Sequence, residues 1–377
     1  MTSKPFRFSV QDDELQDLRD RIRRTRWPKT WPAPAWEAGT DRRELEHLAR
    51  YWADGFDWRR QERLIAALPS FMTDLGGESV HYLLFESERP GALPIVLTHG
   101  WPSSVLELVP LAQRLARPSE FGGRPQDAFT VVVPSLPGFG FSPQASTVPA
   151  AVPTHEQWHR LMRDELGFAR YGVHGGDLGA GISTRLAAGW PDEVVGAHVL
   201  AVADPEGVDP GSMTEEETAY LHSVRTWFEQ EGAYEHQQQT RPITLAYGLT
   251  DSPVGLLAWL LEKYRNWSDS HGDVTQAFPP DFLLTQASIY WFTNSIGTSF
   301  RPYYEYAQGA LGSIGPVAVP TAVAVFPRDL VQPPRSWAER SYNLRRYTRM
   351  PRGGHFAAIE VPDLLADDIR TFFHDLA

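Results

Sequence analysis

The chain predicts an α/β architecture: a mostly parallel sheet with helices on both faces, a helical extension before it and a helical insertion late in the chain. Three observations predict it. From about residue 71 to residue 205, short apolar β-rich runs alternate with helix-length amphipathic runs, as in a parallel sheet buried on both faces. From about Asp204 to Gly315 the alternation fails and helical patterns dominate. From Thr321 the alternation returns and runs to the C-terminus. The expected divisions are residues 1–70 as an N-terminal helical meander, 71–205 and 316–377 as two parts of one core, and 206–315 as a lid.

In order, Ser9-Val10-Gln11-Asp12 has the spacing of a capping box, with Asp12 as its acid. Leu15, Leu18 and Ile22 then recur at helical spacing, acids first and arginines last, as the helix dipole prefers. Trp27-Pro28 stops this helix, and residues 28–40, rich in Pro and Trp, read as irregular chain. Two more helices are expected over Asp41–Ala53 and Trp58–Ala67. Strand signals begin near Phe71 and recur at His81–Phe85, Pro94–Thr98, Phe129–Val133, Tyr171–His174 and Gly196–Val202. Between them, helices are expected over Val105–Ala116, Thr154–Leu166 and from the Gly176 region to about Ala188. The insertion shows helical patterns at Thr214–Gln230, Pro253–Trp267 and Leu283–Ser295. Strands Thr321–Phe326 and Arg345–Arg349 and a helix over Pro362–Leu376 close the chain.

Composition narrows the function classes. Hydrophobic residues make up 42% of the 377, enough for a sizeable core. A net charge of −12 with no long basic run argues against nucleic acid and anionic membranes as partners. Cysteine is absent, which removes disulfides, thiol catalysis and cysteine–metal sites. The first residues show no secretory pattern and no long apolar run occurs, so a cytoplasmic protein without a membrane span is expected. The 13 tryptophans and 31 prolines fit either a large aromatic pocket or long ordered loops.

Tyr171 to Gly181 carries the chemistry. A short apolar strand runs into Gly175-Gly176-Asp177-Leu178-Gly179 and then into a helix of small residues. This is the small-x-nucleophile-x-small elbow of an α/β-hydrolase, with aspartate in the nucleophile position. An aspartate, with a reference pKa of about 3.9, is ionised without a base and can attack carbon to form an ester. In this fold the acid and the histidine follow the nucleophile in that order. Asp329, in Phe326-Pro327-Arg328-Asp329-Leu330, and His355, in Arg352-Gly353-Gly354-His355-Phe356, each follow a strand. Upstream, His99-Gly100-Trp101-Pro102 also follows a strand, so the amides of Trp101 and Leu178 are the expected oxyanion donors. Pro134 to Ser142 is read as a packed loop at the same end of the sheet.

These motifs together resemble the epoxide hydrolases of the α/β-hydrolase superfamily, in the branch with an N-terminal meander that includes microsomal and juvenile-hormone enzymes. The resemblance covers nearly the whole chain and extends to Trp27-Pro28, Asp251-Ser252-Pro253-Val254-Gly255-Leu256 and Gly353-Gly354-His355-Phe356-Ala357-Ala358. It implies conversion of an epoxide to a vicinal diol through an Asp177 ester, with His355 as base and Asp329 orienting it. It also implies two tyrosine acids, matched by Tyr234 in Gly232-Ala233-Tyr234 and Tyr303 in Phe300-Arg301-Pro302-Tyr303, with Tyr304 one residue away leaving the second open. His236 and Gln237 fit pocket-lining and surface positions equally. No metal or organic cofactor is expected; a small-molecule epoxide is the expected partner, and a homodimer stays open. The chain is also similar to soluble bacterial members, including enediyne-pathway epoxide hydrolases, which implies a role in antibiotic biosynthesis or, alternatively, detoxification.

Two positions depart from the family pattern. Leu178 stands where a tryptophan is frequent, and Asp329 where some relatives carry glutamate. Leu178 weakens the rival haloalkane-dehalogenase reading, because that chemistry needs an indole N–H for the halide. A second rival, an inactive binding member of the fold, sits poorly with Asp177, Asp329 and His355 all present.

Overall fold

The structure is a computed structural model and describes residues 3–147, 150, 152–205 and 207–376. The expected lid boundary at residue 206 lies outside the described residues. Nine strands form the sheet among those described: β1 Lys4–Pro5, β2 Ser70–Asp74, β3 Ser79–Phe85, β4 Pro94–Thr98, β5 Thr130–Pro134, β6 Tyr171–Gly175, β7 Val194–Val199, β8 Val317–Val325 and β9 Tyr342–Arg349. Their order is β1-β2-β3-β5-β4-β6-β7-β8-β9. Pairing is antiparallel from β1 to β5 and parallel from β5 through β9. This is the α/β-hydrolase arrangement, mostly parallel as its apolar strands require.

Helices cover both faces. In β6, Tyr171 and Gly172 point to opposite sides, as neighbours in a strand must. The Tyr171 hydroxyl meets His159 Nδ1 at 2.9 Å, on helix Thr154–Arg160. Gly172 lies against the ring of Phe373, on the closing helix Pro362–His374. Strand order reverses around β4 and β6. The chain leaves β4 for β5 on one side and crosses back to β6 on the other. The loops after β4 and β6 therefore diverge at a switch point, where open α/β sheets hold their ligands.

The N-terminal segment does two jobs. Lys4 and Pro5 extend the sheet by pairing with Met72 and Phe71, an edge strand too short to read from sequence. Its helices Asp12–Arg23 and Arg42–Asp54 pack on each other and on the insertion, against Pro253–Asn266 and Pro280–Phe292. Trp52 Nε1 donates to Ser288 Oγ at 2.9 Å, and the Tyr51 hydroxyl to Asp281 Oδ1 at 2.7 Å.

Several expected elements shift. The capping box uses Gln11 and Glu14 in place of Ser9 and Asp12: the longer Glu14 reaches back to the Gln11 amide at 2.8 Å, while Asp12 already sits in the first turn. The helix expected over Thr154–Leu166 is α-helical to Arg160 and widens to a π turn over Leu161–Glu165, closed by Leu166 N–H on the Leu161 carbonyl. β7 runs from Val194 to Val199 and stops three residues short of expectation, because Leu200, Ala201 and Val202 turn off to line a cavity. β8 and β9 begin earlier than expected; Pro320 in β8 and the polar run in β9 masked them, and a register irregularity lies between Val317 and Pro320. The insertion also contains helices Ala233–Thr240, Pro242–Asp251 and Arg301–Ala307, which its sequence pattern did not reveal.

Candidate active site

The turn after β6 sets Asp177 in a conformation that few residues adopt. Its backbone is at φ 49°, ψ −129°, directly before helix Leu178–Gly189. Such a position costs on the order of 1–3 kcal/mol outside glycine and survives only where its surroundings enforce it. The flanking glycines are what those surroundings demand. A Cβ on Gly175 would overlap the Gly179 carbonyl, and one on Gly179 would overlap the Thr98 carbonyl at the end of β4. The turn thus closes tightly on both strands and lifts the Asp177 side chain above their C-terminal ends.

There the carboxylate meets three donors. The Trp101 amide donates to Asp177 Oδ1 at 2.9 Å, and the Leu178 amide also binds the carboxylate. His355 Nε2 lies 3.5 Å from Asp177 Oδ2. Burial alone would raise the Asp177 pKa; His355 and the two amides overcome it and hold the carboxyl below its ordinary value. His99, in the same loop as Trp101, is a latch: Nδ1 donates to the Gly100 carbonyl at 3.0 Å and Nε2 accepts from the Leu136 amide at 3.2 Å. Burial lowers its pKa to about 4, so it stays neutral. The Pro134–Ser142 loop is pinned by Ser142 Oγ on the Ser135 carbonyl at 2.8 Å.

His355 follows β9 and is fixed from three sides. Its amide donates to the Trp267 carbonyl at 2.8 Å, and the Trp267 ring stands edge-on at 5.3 Å. Its Nδ1 donates to Asp329 Oδ1 at 2.7 Å, and that oxygen also accepts the Leu330 amide at 2.7 Å. Burial would lower the imidazole pKa, but the Asp329 charge and the bond to Asp177 raise it well above the ordinary histidine value. All three side chains are at most 14% exposed.

The carboxylate opens onto a cavity of about 480 Å³ between the strand ends and the insertion. Trp227, Phe228, Tyr220, Leu311 and Ile314 give it an apolar, largely aromatic wall. Tyr234 and Tyr303 face it, with rings 6.2 Å apart and nearly perpendicular. Tyr234 stacks on Trp101 at 5.3 Å and 7°, and Tyr303 meets the same indole edge-on at 6.1 Å. Burial first, and then the Asp177 charge, raise both phenol pKa values well above 10, so both stay protonated. The Tyr303 hydroxyl has no hydrogen-bond partner of ordinary geometry among the described residues. Tyr304 is 37% exposed and is not part of the cavity wall.

His236 and Gln237 are the expected residues that the structure does not bring here. His236 is exposed, and Gln237 Nε2 donates to the Arg241 carbonyl at 2.8 Å. Helix Ala233–Thr240 turns Glu235 and Gln239 to the cavity, four apart on one face and joined by Gln239 Nε2 to Glu235 Oε1 at 2.8 Å. Burial, then Asp177, raise the Glu235 carboxyl to about 7. Helical spacing from Tyr234 does not single out this pair, since it points to Gln237 and Gln238. Trp267 was also missed as the support for His355. Among the described residues no group of three or more His, Asp or Glu could hold a metal ion, and no helix is long and apolar enough to cross a membrane.

The nine-stranded sheet and the carboxylate at its strained turn define an α/β-hydrolase. The family models agree: the one described as alpha/beta hydrolase fold matches residues 93–222, and Epoxide hydrolase N terminus matches residues 3–108. Epoxide hydrolase 1 of Oryctolagus cuniculus is 33% identical, covering 98% of this chain and 88% of its own length. Juvenile hormone epoxide hydrolase 2 of Ctenocephalides felis is 32% identical, covering 97% and 84%. The Aspergillus niger epoxide hydrolase structure is 31% identical, with a TM-score of 0.86 and coverage of 100% and 97%. The chain belongs to the epoxide hydrolase family.

Proposed function

We propose that the protein hydrolyses a bulky, apolar or aryl-bearing epoxide to a vicinal diol through an ester on Asp177. One observation carries the reading: a low-pKa carboxylate on the sheet faces two buried, protonated phenols across one cavity with a largely aromatic wall. The Trp101 amide holds Oδ1, which leaves Oδ2 to attack an epoxide carbon. As the C–O bond breaks, Tyr234 and Tyr303 donate to the developing alkoxide. One of the two phenols gives up its proton, so the products are a hydroxyalkyl ester and a phenolate, and the negative charge has moved from Asp177 to the facing tyrosines.

That shift prepares the second step. Asp177 is one of the groups holding the His355 pKa up, so esterification releases the imidazole toward its neutral, basic form. His355, oriented by Asp329, then takes a proton from water attacking the Asp177 carbonyl. The Trp101 and Leu178 amides bind the oxyanion, and losing one such donor typically costs about 3–4 kcal/mol. Halide release is the weaker alternative, since Leu178 carries no indole and Trp101 Nε1 is already donated to Ser299 Oγ at 3.2 Å.

The test is a single turnover of styrene oxide in oxygen-18 water with enzyme in excess. Label in the Asp177 carboxylate, with little in the diol, supports the ester; heavy label in the diol and none in Asp177 rejects it. The aromatic wall favours large epoxides of the kind built in natural-product biosynthesis over small aliphatic ones. A substrate panel with chiral analysis of the diols separates that role from general detoxification: comparable rates on small aliphatic epoxides would reject it.

A further inference from the structure

A second, much smaller cavity of about 20 Å³ lies against Asp177 and His355, and none of its walls comes from the insertion. Leu108, Leu200 and Phe356 form its apolar sides. Several polar groups around it are already engaged. His99 is latched at both nitrogens, His174 Nδ1 meets His198 at 3.0 Å, and Thr98 Oγ1 accepts the Trp158 indole at 3.2 Å. The remaining polar side chains of its wall are Asp177, His355 and Glu107.

Glu107 is out of place as a structural residue. It sits in the first turn of helix Val105–Ala116, between Leu106 and Leu108, and is only 8% exposed. Burying a carboxyl there costs free energy that packing does not return. Burial raises its pKa to about 7, partly offset by the Ser103 hydroxyl and the His355 charge.

We infer that this small cavity holds the water that cleaves the Asp177 ester, with the Glu107 carboxyl fixing that water against His355. The inference rests on the ester reading above. The geometry supplies the reason. Once the ester forms, the diol half of the substrate fills the large cavity, and water needs another approach to the carbonyl carbon. A cavity of this size takes one water, which requires two to four polar partners. One water hydrogen goes to His355 Nε2 as the oxygen bonds to the Asp177 carbonyl carbon. The other is held by a Glu107 carboxyl oxygen, which accepts the hydrogen bond without taking the proton. The tetrahedral intermediate then breaks its bond to the diol oxygen, which takes the proton from His355; Asp177 keeps the water oxygen, and the hydrogen left on it returns to the phenolate formed in the first step.

Intact-mass measurement of the styrene oxide adduct in single turnovers tests this. His355→Gln is run first and must accumulate an adduct on Asp177; if none forms, the ester reading itself fails. Glu107→Gln, close in shape, is expected to form ester within about threefold of the wild-type rate and to break it down at least about tenfold more slowly. Ala358→Val, which narrows the small cavity from another residue of its wall, is expected to give the same split. Normal ester formation in either variant also reports an intact fold. Equal slowing of both steps in both variants, slowing of ester formation alone, or no change in Glu107→Gln overturns the inference.

Discussion

The sheet wall of the large cavity holds Asp177, His355 and Asp329 through charge-assisted contacts, whereas the facing wall holds Tyr234 and Tyr303 almost entirely by ring packing. On the sheet side each functional atom has a directional partner, from the Trp101 amide to the Asp329 carboxylate. On the insertion side Tyr234 is held between Trp101 and Trp267, and the Tyr303 hydroxyl has no partner of ordinary geometry. Charges in a low-dielectric site need fixed partners. Neutral donors waiting for an alkoxide are better left unpaired, so that the substrate oxygen becomes their acceptor. On the proposed mechanism the sheet wall governs which bonds form, and the insertion wall governs how fast the ring opens and what fits.

Substitutions on the sheet wall are the strongest way to break this comparison. Asp177→Ala removes the attacking atom, so turnover of styrene oxide is expected to fall at least about 10⁴-fold, with no protein adduct by mass. Residual turnover near the wild-type rate would mean direct attack by water. His355→Gln is expected to slow turnover by about 10²–10⁴-fold while ester still forms, because it removes the base and spares the nucleophile. Stopped-flow single turnovers would show a fast first phase and a stalled second.

The insertion wall predicts a different signature. Tyr234→Phe and Tyr303→Phe are each expected to slow ester formation by about 10- to 100-fold, with the pair losing more than either. Ester breakdown should stay within about threefold, since neither phenol acts on the carbonyl. Tyr304→Phe serves as the control, and a loss there equal to Tyr303→Phe would reassign the second donor.

The same contrast explains what the sequence made legible. Asp177, Asp329 and His355 each follow a strand of a sheet whose strands read plainly from their apolar runs, so order along the chain located them. Tyr234 came from a local match to a family, because helix Ala233–Thr240 is short and polar and carries no strong periodicity. That is also why His236 and Gln237 were placed one and two residues from the face that Glu235 and Gln239 occupy. β7 ended early for a similar reason: Leu200 to Val202 look like strand, but the cavity takes them. Glu107 gave no motif, and its signal was a lone acid inside an apolar helix turn.

pH sharpens the comparison within the sheet wall itself. Asp177 is held below its ordinary pKa, so ester formation is expected to persist as pH falls through the usual carboxylate range. On the proposed mechanism ester breakdown needs neutral His355, whose raised pKa in the free protein is relieved only in part by esterification, since Asp329 remains. Below that pKa, breakdown is expected to drop about tenfold per pH unit, because each unit protonates a further nine-tenths of the base. Adduct should therefore accumulate on acidification. Rapid-quench mass measurement across the range checks the sign; adduct that grows on raising the pH would contradict it.

The smallest expected effect concerns how the insertion wall is kept in place. The N-terminal helix Arg42–Asp54 contacts it through Trp52, which is 2% exposed and donates Nε1 to Ser288 Oγ. Trp52→Phe keeps most of the ring packing but removes that donor and leaves the buried Ser288 hydroxyl oxygen without it. A loss of about 1–2 kcal/mol is expected in denaturant unfolding. If ester breakdown depends on the sheet wall alone, the His355-dependent breakdown of the ester should stay unchanged in this variant. Any kinetic loss should then fall on the tyrosine-assisted first step, because only that wall has been loosened. Equal slowing of both steps would show that the N-terminal helices brace the whole site, and the separation of the two walls would not hold.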